Sequence, residues 1–276
     1  MYTQLEQRTM AEPPINIGTL RKKKQDREPI ACLTAYDASY AALVDAAGTD
    51  LVLVGDSLGM VIQGHDTTVP VTVDDVVYHT RAVARGLRHA FLVADMPFMS
   101  YTNPGQALDN SVRLMQEGGA MMIKLESGGG QLEIVEHLAA HDIPVCAHLG
   151  LKPQSVHKLG GFRVQGREPD QAQELLEAGR QLQNAGADIV LLECVPNELG
   201  QAMTEALEVP VIGIGAGPHV DGQILVLYDV LGITMGRTPR FVQNFQQGHD
   251  SPLAALQAFV GAVKDGSYPA PEHCFS

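Results

Sequence analysis

Residues able to do acid, base or metal chemistry recur at one kind of place in this sequence, directly after a short apolar run. Leu51-Val52-Leu53-Val54 is followed by Gly55-Asp56-Ser57, and Phe91-Leu92-Val93-Ala94 by Asp95. Met121-Met122-Ile123 leads into Lys124-Leu125-Glu126, Val145-Cys146-Ala147 into His148, and Ile189-Val190-Leu191-Leu192 into Glu193. Three carboxylates on adjacent strands, Asp56, Asp95 and Glu126, repel one another unless something cationic lies between them. Hard oxygen ligands without a Cys/His set favour Mg²⁺ over Zn²⁺. Taken singly, each acid has a plainer reading as the cap of the helix after its strand. Capping does not require neighbouring strands, so the three together favour the ion.

Lys124 and Glu126 are two apart and share one strand face, with Lys124 one layer beneath. A Lys in an apolar strand is costly unless paired. It reads as an ion pair with one of the acids, as a clamp for a substrate carboxylate, or as a Schiff-base nucleophile. His148 reads equally as a pocket residue and as a satisfied core histidine. The apolar run before Glu193 should raise its pKa and suit it to proton abstraction.

Two other motifs fail on inspection. Gly55-Asp56-Ser57-Leu58 matches a serine-hydrolase signature, but that chemistry needs an Asp-x-x-His pair, which occurs nowhere in the chain. Gly213-Ile214-Gly215-Ala216-Gly217-Pro218 starts like a dinucleotide loop, yet Pro218 stands where the third Gly belongs.

The elements that must position these residues are eight strand-length apolar runs: Ile30–Asp37, Asp50–Ser57, Ala90–Phe98, Met121–Glu126, Pro144–Gly150, Asp188–Cys194, Val209–Gly217 and Ile224–Val230. Stretches with apolar residues at three-to-four spacing separate several of them: Ser39–Ala47, Pro104–Glu117, Gly130–Ala140, Pro169–Ala185 and Glu198–Leu207. Ala47-Gly48, Gly118-Gly119 and Gly186 stand just before strands, as in the αβ turn of a repeated unit. No linker interrupts the series. The expectation is a (β/α)8 TIM barrel spanning 1–276 as a single domain, with its site at the C-terminal ends of the strands. The seventh connection, Pro218–Gln223, is short for a helix. A basic helix around Thr19–Lys24 precedes the barrel as an N-terminal helical extension, residues 1–16 read as a flexible leader, and a last helix covers about Ser251–Lys264.

Composition narrows the function classes. Nineteen basic against 32 acidic residues give a net charge of −13, which argues against nucleic acid and anionic membrane surfaces as partners. An anionic substrate then needs a local cationic or metal site. The chain is 45% hydrophobic and 18% charged, enough to bury a full core. No apolar run reaches the roughly 18 residues of a membrane span, and Met1–Pro14 lacks the apolar stretch of a signal peptide. Cys32, Cys146, Cys194 and Cys274 form no CxxC pair, and the first three sit in strand-like runs, as reduced packed thiols do. A soluble cytoplasmic protein is the expectation.

Together these motifs resemble the ketopantoate hydroxymethyltransferase family. The resemblance rests on Val54–Met60, Gln63-Gly64-His65-Asp66, Ala94–Phe98, Lys124-Leu125-Glu126, His148–Ser155, Gly160–Arg167, Leu192–Pro196 and Gly213–Gly217 followed by Asp221-Gly222-Gln223, in the family's order from about Ile17 onward. It implies a 3-methyl-2-oxobutanoate hydroxymethyltransferase, which transfers a one-carbon unit from 5,10-methylenetetrahydrofolate to the keto acid on the route to pantothenate. It further implies that Asp56 and Asp95 ligate Mg²⁺, with Glu126 helping through water. By the same resemblance, Asp56, Ser57, Asp95, Lys124 and His148 would contact the keto acid, Glu193 would be the catalytic base, and the ion would stabilise the enolate formed at C3. The family is similar to the phosphoenolpyruvate mutase and isocitrate lyase barrels and forms homo-oligomers, often decamers. A Schiff-base aldolase using Lys124, a related Mg-dependent 2-oxo-acid C–C lyase and a catalytically idle binding barrel are the alternatives.

Overall fold

The computed structural model describes residues 13–234 and 236–276. Eight parallel strands close into a barrel in sequence order: β1 Ile30–Thr34, β2 Leu51–Val54, β3 Phe91–Asp95, β4 Met122–Glu126, β5 Val145–Gly150, β6 Ile189–Glu193, β7 Val211–Ile214 and β8 Gly222–Leu225. β1 pairs with β8 through Ile30↔Gly222 and Cys32↔Ile224, which shuts the ring. The strands read as continuous apolar runs because both faces are covered. Ala31, Leu33, Val52, Val54, Ile123 and Leu125 belong to the shell beneath the helices. Ile30, Cys32, Leu53, Val93, Met122 and Cys146 fill the barrel interior.

The outer layer comprises α1 Ile17–Asp26, α2 Ala38–Ala46, α3 Leu58–Val61, α4 Val73–Gly86, α5 Pro104–Gln116, α6 Leu132–Ala139, α7 Val156–Leu159, α8 Pro169–Asn184, α9 Asn197–Ala206, α10 Leu227–Val230 and α11 Pro252–Lys264. Their starts follow capping chemistry: Thr72 and Asp75 exchange hydrogen bonds at α4, and Asn103 caps α5 ahead of Pro104. Before β6 the chain turns at Gly186, φ 104°, where a Cβ would come 2.5 Å from that of Ala139.

The basic helix α1 closes the bottom of the barrel. Ile15 and Leu20 pack on the interior cluster, and burying Leu20 contributes roughly 1.5–3 kcal/mol. The helix cations meet acids at the N-terminal edge of the strands. Arg21 pairs with Asp188 and Lys24 with Asp221, both at 2.6 Å. Residues 1–12 of the expected leader lie outside the described residues. Ile15 is buried and Asn16 caps α1, so ordered structure begins before the leader's expected end.

The structure departs from the sequence expectation in the helix α4, which the apolar spacing did not mark, and in the last strand, and it bears out the short seventh connection. The run Ile224–Val230 is not one strand: β8 starts at Gly222, ends at Leu225, and Leu227–Val230 is helical. Leu227 N donates to Thr34 Oγ1, which turns the chain out of the sheet there. The seventh unit has no helix among the described residues. Asp221 accepts from Val211 N through its side chain while its own N–H donates to Val211 O, holding the β7–β8 link short. No helix of the described residues is long and apolar enough to cross a membrane.

Candidate functional site

Strand alternation decides what faces the barrel axis. On β4 the inward positions are Met122, Lys124 and Glu126, from floor to mouth, so an apolar residue supports a cation that supports an acid. β3 ends in Asp95, paired in register with Lys124. Lys124 Nζ donates to Asp95 Oδ1 at 2.6 Å, with both side chains buried. Asp95 Oδ2 accepts from Asp56 N at 3.1 Å, which draws the loop after β2 over the mouth. The ion pair considered for Lys124 is therefore present, and it sits inside the cluster of acids.

An uncharged residue, Gln154, holds the remaining acids. Gln154 lies in a 3₁₀ turn, Pro153–Ser155, after β5. Its backbone N donates to Glu126 Oε1 at 2.8 Å, and Nε2 donates to Asp56 Oδ2 at 2.8 Å and Met96 O at 2.9 Å. Tyr101 OH donates to its Oε1 at 2.6 Å. Both neighbours of the amide nitrogen are acceptors, so only one orientation of the amide satisfies the network. Ser57 Oγ lies 2.8 Å from Tyr36 OH, a second partner that the sequence reading missed. The signal for Gln154 was present in the stretch His148–Ser155, without a charge to mark it.

His148 and Glu193 face each other across β5 and β6, with Nε2 3.2 Å from Oε2 and outside hydrogen-bond alignment. Neither nitrogen of the buried His148 ring has a hydrogen-bond partner among the described residues, an arrangement that suits a ligand group. The backbone of Glu193 is tightly held. Its carbonyl accepts from Leu151 N at 2.8 Å, and a Cβ on Gly150, φ 88°, would come 2.2 Å from that oxygen. Cys194 follows in the left-handed region, φ 49°, costly for a residue with a Cβ.

Electrostatics follow from burial and crowding. Burial first, and then the charge of Asp95, raises the Asp56 pKa, against the pull of Lys124 and Gln154. Burial pushes Glu126 up to about 8 although Gln154 donates to it. Burial also pushes Glu193 up to about 8, with Lys124 opposing and Asp56 and Asp95 adding to the rise. Burial alone would lower Lys124, but Asp95 and Asp56 more than offset it and keep the ammonium charged. Burial, aided by Lys124 and Lys152, holds His148 well below its ordinary value, so the ring is neutral near pH 7. Proximity of His148 and Glu193 is thus not a full ion pair.

These residues fit a divalent cation with hard oxygen preference. Asp56, Asp95 and Glu126 supply oxygens only, and burial together with their mutual repulsion raises Asp56 and Glu126, which a bound cation would offset. Among the described residues no group of three His, Cys, Asp or Glu is gathered closely enough to enclose an ion. A pair of carboxylates completed by water and substrate oxygens is the habit of Mg²⁺.

The model of a family described as ketopantoate hydroxymethyltransferase matches residues 14–271. The 3-methyl-2-oxobutanoate hydroxymethyltransferase of Alkalilimnicola ehrlichii is 58% identical over 262 residues, covering 95% of each chain. Among solved structures, 2,3-dimethylmalate lyase, a PEP mutase/isocitrate lyase superfamily member, aligns at a TM-score of 0.56 and 15% identity over 78% of this chain and 79% of its own. A phosphonopyruvate hydrolase solved with oxalate and Mg²⁺ aligns at 0.57 and 15% over 94% of this chain and 93% of its own. At such identities the two structures speak for the barrel alone.

Proposed function

The chain belongs to the ketopantoate hydroxymethyltransferase family, and from that membership we propose that it transfers the one-carbon unit of 5,10-methylenetetrahydrofolate to C3 of 3-methyl-2-oxobutanoate, forming ketopantoate. One observation carries the assignment: the Glu193 carboxyl, 14% exposed and pushed up to about 8 mainly by burial, faces the same barrel mouth as a charged ammonium and a pair of linked aspartates. That combination suits proton removal next to a carbonyl in an anionic substrate.

Asp56 and Asp95 would hold Mg²⁺, with Glu126 assisting from the neighbouring strand. When bound, Mg²⁺ supplies Lewis-acid stabilisation of negative charge on the 2-oxo oxygen. Lys124 neutralises the substrate carboxylate, which a protein of charge −13 would otherwise repel. Ser57, steadied by Tyr36, donates to a substrate oxygen, and His148 lines the pocket as a neutral ring beside the base. Glu193 takes the C3 proton, C3 bonds to the methylene carbon as one of its two C–N bonds to the folate breaks, and water replaces the second, supplying the hydroxyl and releasing tetrahydrofolate. General-base catalysis of this kind contributes typically ~10²–10⁴-fold.

A Schiff-base route through Lys124 requires a neutral amine, and Asp95 and Asp56 hold that amine protonated. An idle binding barrel would have no use for a carboxyl poised near neutral pH. We assign the protein to the cytoplasm, where the four buried free thiols are in keeping with a reducing compartment, and its working form to a homo-oligomer of the barrel domain. The test is turnover. Purified protein should convert 3-methyl-2-oxobutanoate and 5,10-methylenetetrahydrofolate to ketopantoate, and a chelator should stop it reversibly. Absence of ketopantoate with Mg²⁺ present would sink the assignment.

A further inference from the structure

The connection between β5 and α8 differs in charge from the rest of the chain. Residues 151–167 contain Lys152, Lys158, Arg163 and Arg167 and no Asp or Glu, within a protein of net charge −13. Both feet of this connection stand on the site. At its start Gln154 holds Asp56 and Glu126. Near its end Gln165 N donates at 2.9 Å to the carbonyl of Cys194, the residue after Glu193. The next residue, Gly166, is buried against Leu199 of α9 and Leu175 of α8. Between the feet, Lys158, Phe162 and Arg163 are exposed, and Phe162 shows 55% of its surface to solvent. Neither the Lys158 nor the Arg163 side chain forms an ion pair among the described residues.

An exposed aromatic ring offers a flat apolar face, and unpaired cations in the same stretch are inviting to carboxylates. The other anionic reactant, the keto acid, is already met by Lys124 deep in the mouth. A strap rooted at the acids and at the base, with an aromatic ring and two free cations, matches a ligand that is aromatic at one end and carboxylated at the other. We propose that this strap is the folate docking site: Phe162 packs on the aromatic part of the co-substrate, and Lys158 and Arg163 pair with the carboxylates of its glutamyl tail. The inference rests on the folate reading given above and adds to it a preference for longer glutamyl tails.

The experiment compares KM for 5,10-methylenetetrahydrofolate as the mono- and the triglutamate in wild type, in the double variant Lys158→Gln/Arg163→Gln, and in Phe162→Ala. Wild type should favour the triglutamate. The double variant should raise KM for the triglutamate by about twofold to thirtyfold, the range for two solvent-exposed charge pairs, and erase the tail-length preference with kcat within about twofold. Phe162→Ala should raise KM for both forms alike. Exchange of the C3 hydrogen of 3-methyl-2-oxobutanoate with D₂O, run without folate, should be unchanged in all three proteins. An unaltered tail-length preference in the double variant overturns the proposal. So does loss of C3 exchange in that variant, which would make the strap a support of the keto-acid site. A fall in particle mass by light scattering also overturns it, because the cations would then belong to contacts between copies. Wild type that exchanges C3 but turns over neither folate removes the folate reading itself, and the strap assignment with it.

Discussion

If Glu193 is the base, its ionisation sets the pace of proton removal, and the structure supplies the size of the effect. With a pKa of about 8, roughly a hundredth of the carboxyl is ionised at pH 6, a tenth at pH 7 and half at pH 8. Exchange of the C3 hydrogen of 3-methyl-2-oxobutanoate with D₂O should therefore climb about tenfold from pH 6 to 7 and about fivefold from pH 7 to 8, levelling by about pH 9. The charges of Asp56 and Asp95 are part of what raises Glu193, so a cation that neutralises them should move the rise to lower pH. Glu193→Gln keeps the shape beside His148 but cannot take a proton, and the rate should fall by ~10²–10⁴-fold with keto-acid affinity nearly intact. NMR reads this directly, because loss of the C3 hydrogen collapses the methyl doublet to a singlet. Wild-type exchange in Glu193→Gln would remove Glu193 from the role. A flat profile between pH 6 and 9 would refute the argument from its pKa.

Lys124→Met should raise the keto-acid Kd by about tenfold or more, since the substrate carboxylate loses its buried counter-charge, and calorimetry checks it. Asp56→Asn should abolish Mg²⁺ binding by calorimetry while melting, in chelator, at or above the wild-type temperature, because one charge of a crowded set is gone. Glu126 and Glu193 bind their protons more tightly folded than unfolded, so their stabilisation is complete below about pH 4.5 and lost as pH rises through about 8. Metal-free protein should accordingly melt lower at pH 8.5 than at pH 5.5, with the Mg²⁺-induced rise in Tm larger at the higher pH. Gly150→Ala forces a Cβ against the Glu193 carbonyl, and it should cost on the order of 2 kcal/mol in denaturant melts and slow C3 exchange well beyond any change in Kd.

The strands were legible because a barrel buries both strand faces, so each one appears as an unbroken apolar run between turns. The reading failed where that signal is shared. In Ile224–Val230 the apolar residues continue past the strand into α10, and only the Leu227–Thr34 hydrogen bond marks the break. α4 was overlooked for a related reason. Val73, Val76, Val77 and Val83 are β-branched and dilute the helical pattern, although Thr72 and Asp75 offered a capping box at its start.

In the site, charge was the legible quantity and neutrality the hidden one. Asp56, Asp95, Lys124, Glu126, His148 and Glu193 all stand at or near strand ends and meet at one mouth, as their positions implied. Gln154 comes from a turn, 98 residues along the chain from Asp56, and carries no charge to announce it. Its neutrality is what the site requires. Lys124 already answers Asp95, and another ammonium at the position of Gln154 would compete with a divalent ion for Asp56 and Glu126. The side-chain amide donates to Asp56 and the backbone N–H to Glu126, neither adding charge, and Tyr101 together with Met96 O prevents the amide from turning its oxygen toward Asp56. A side chain that adds no charge has no charge to mark it in the stretch His148–Ser155, and the fold shows which acids it serves.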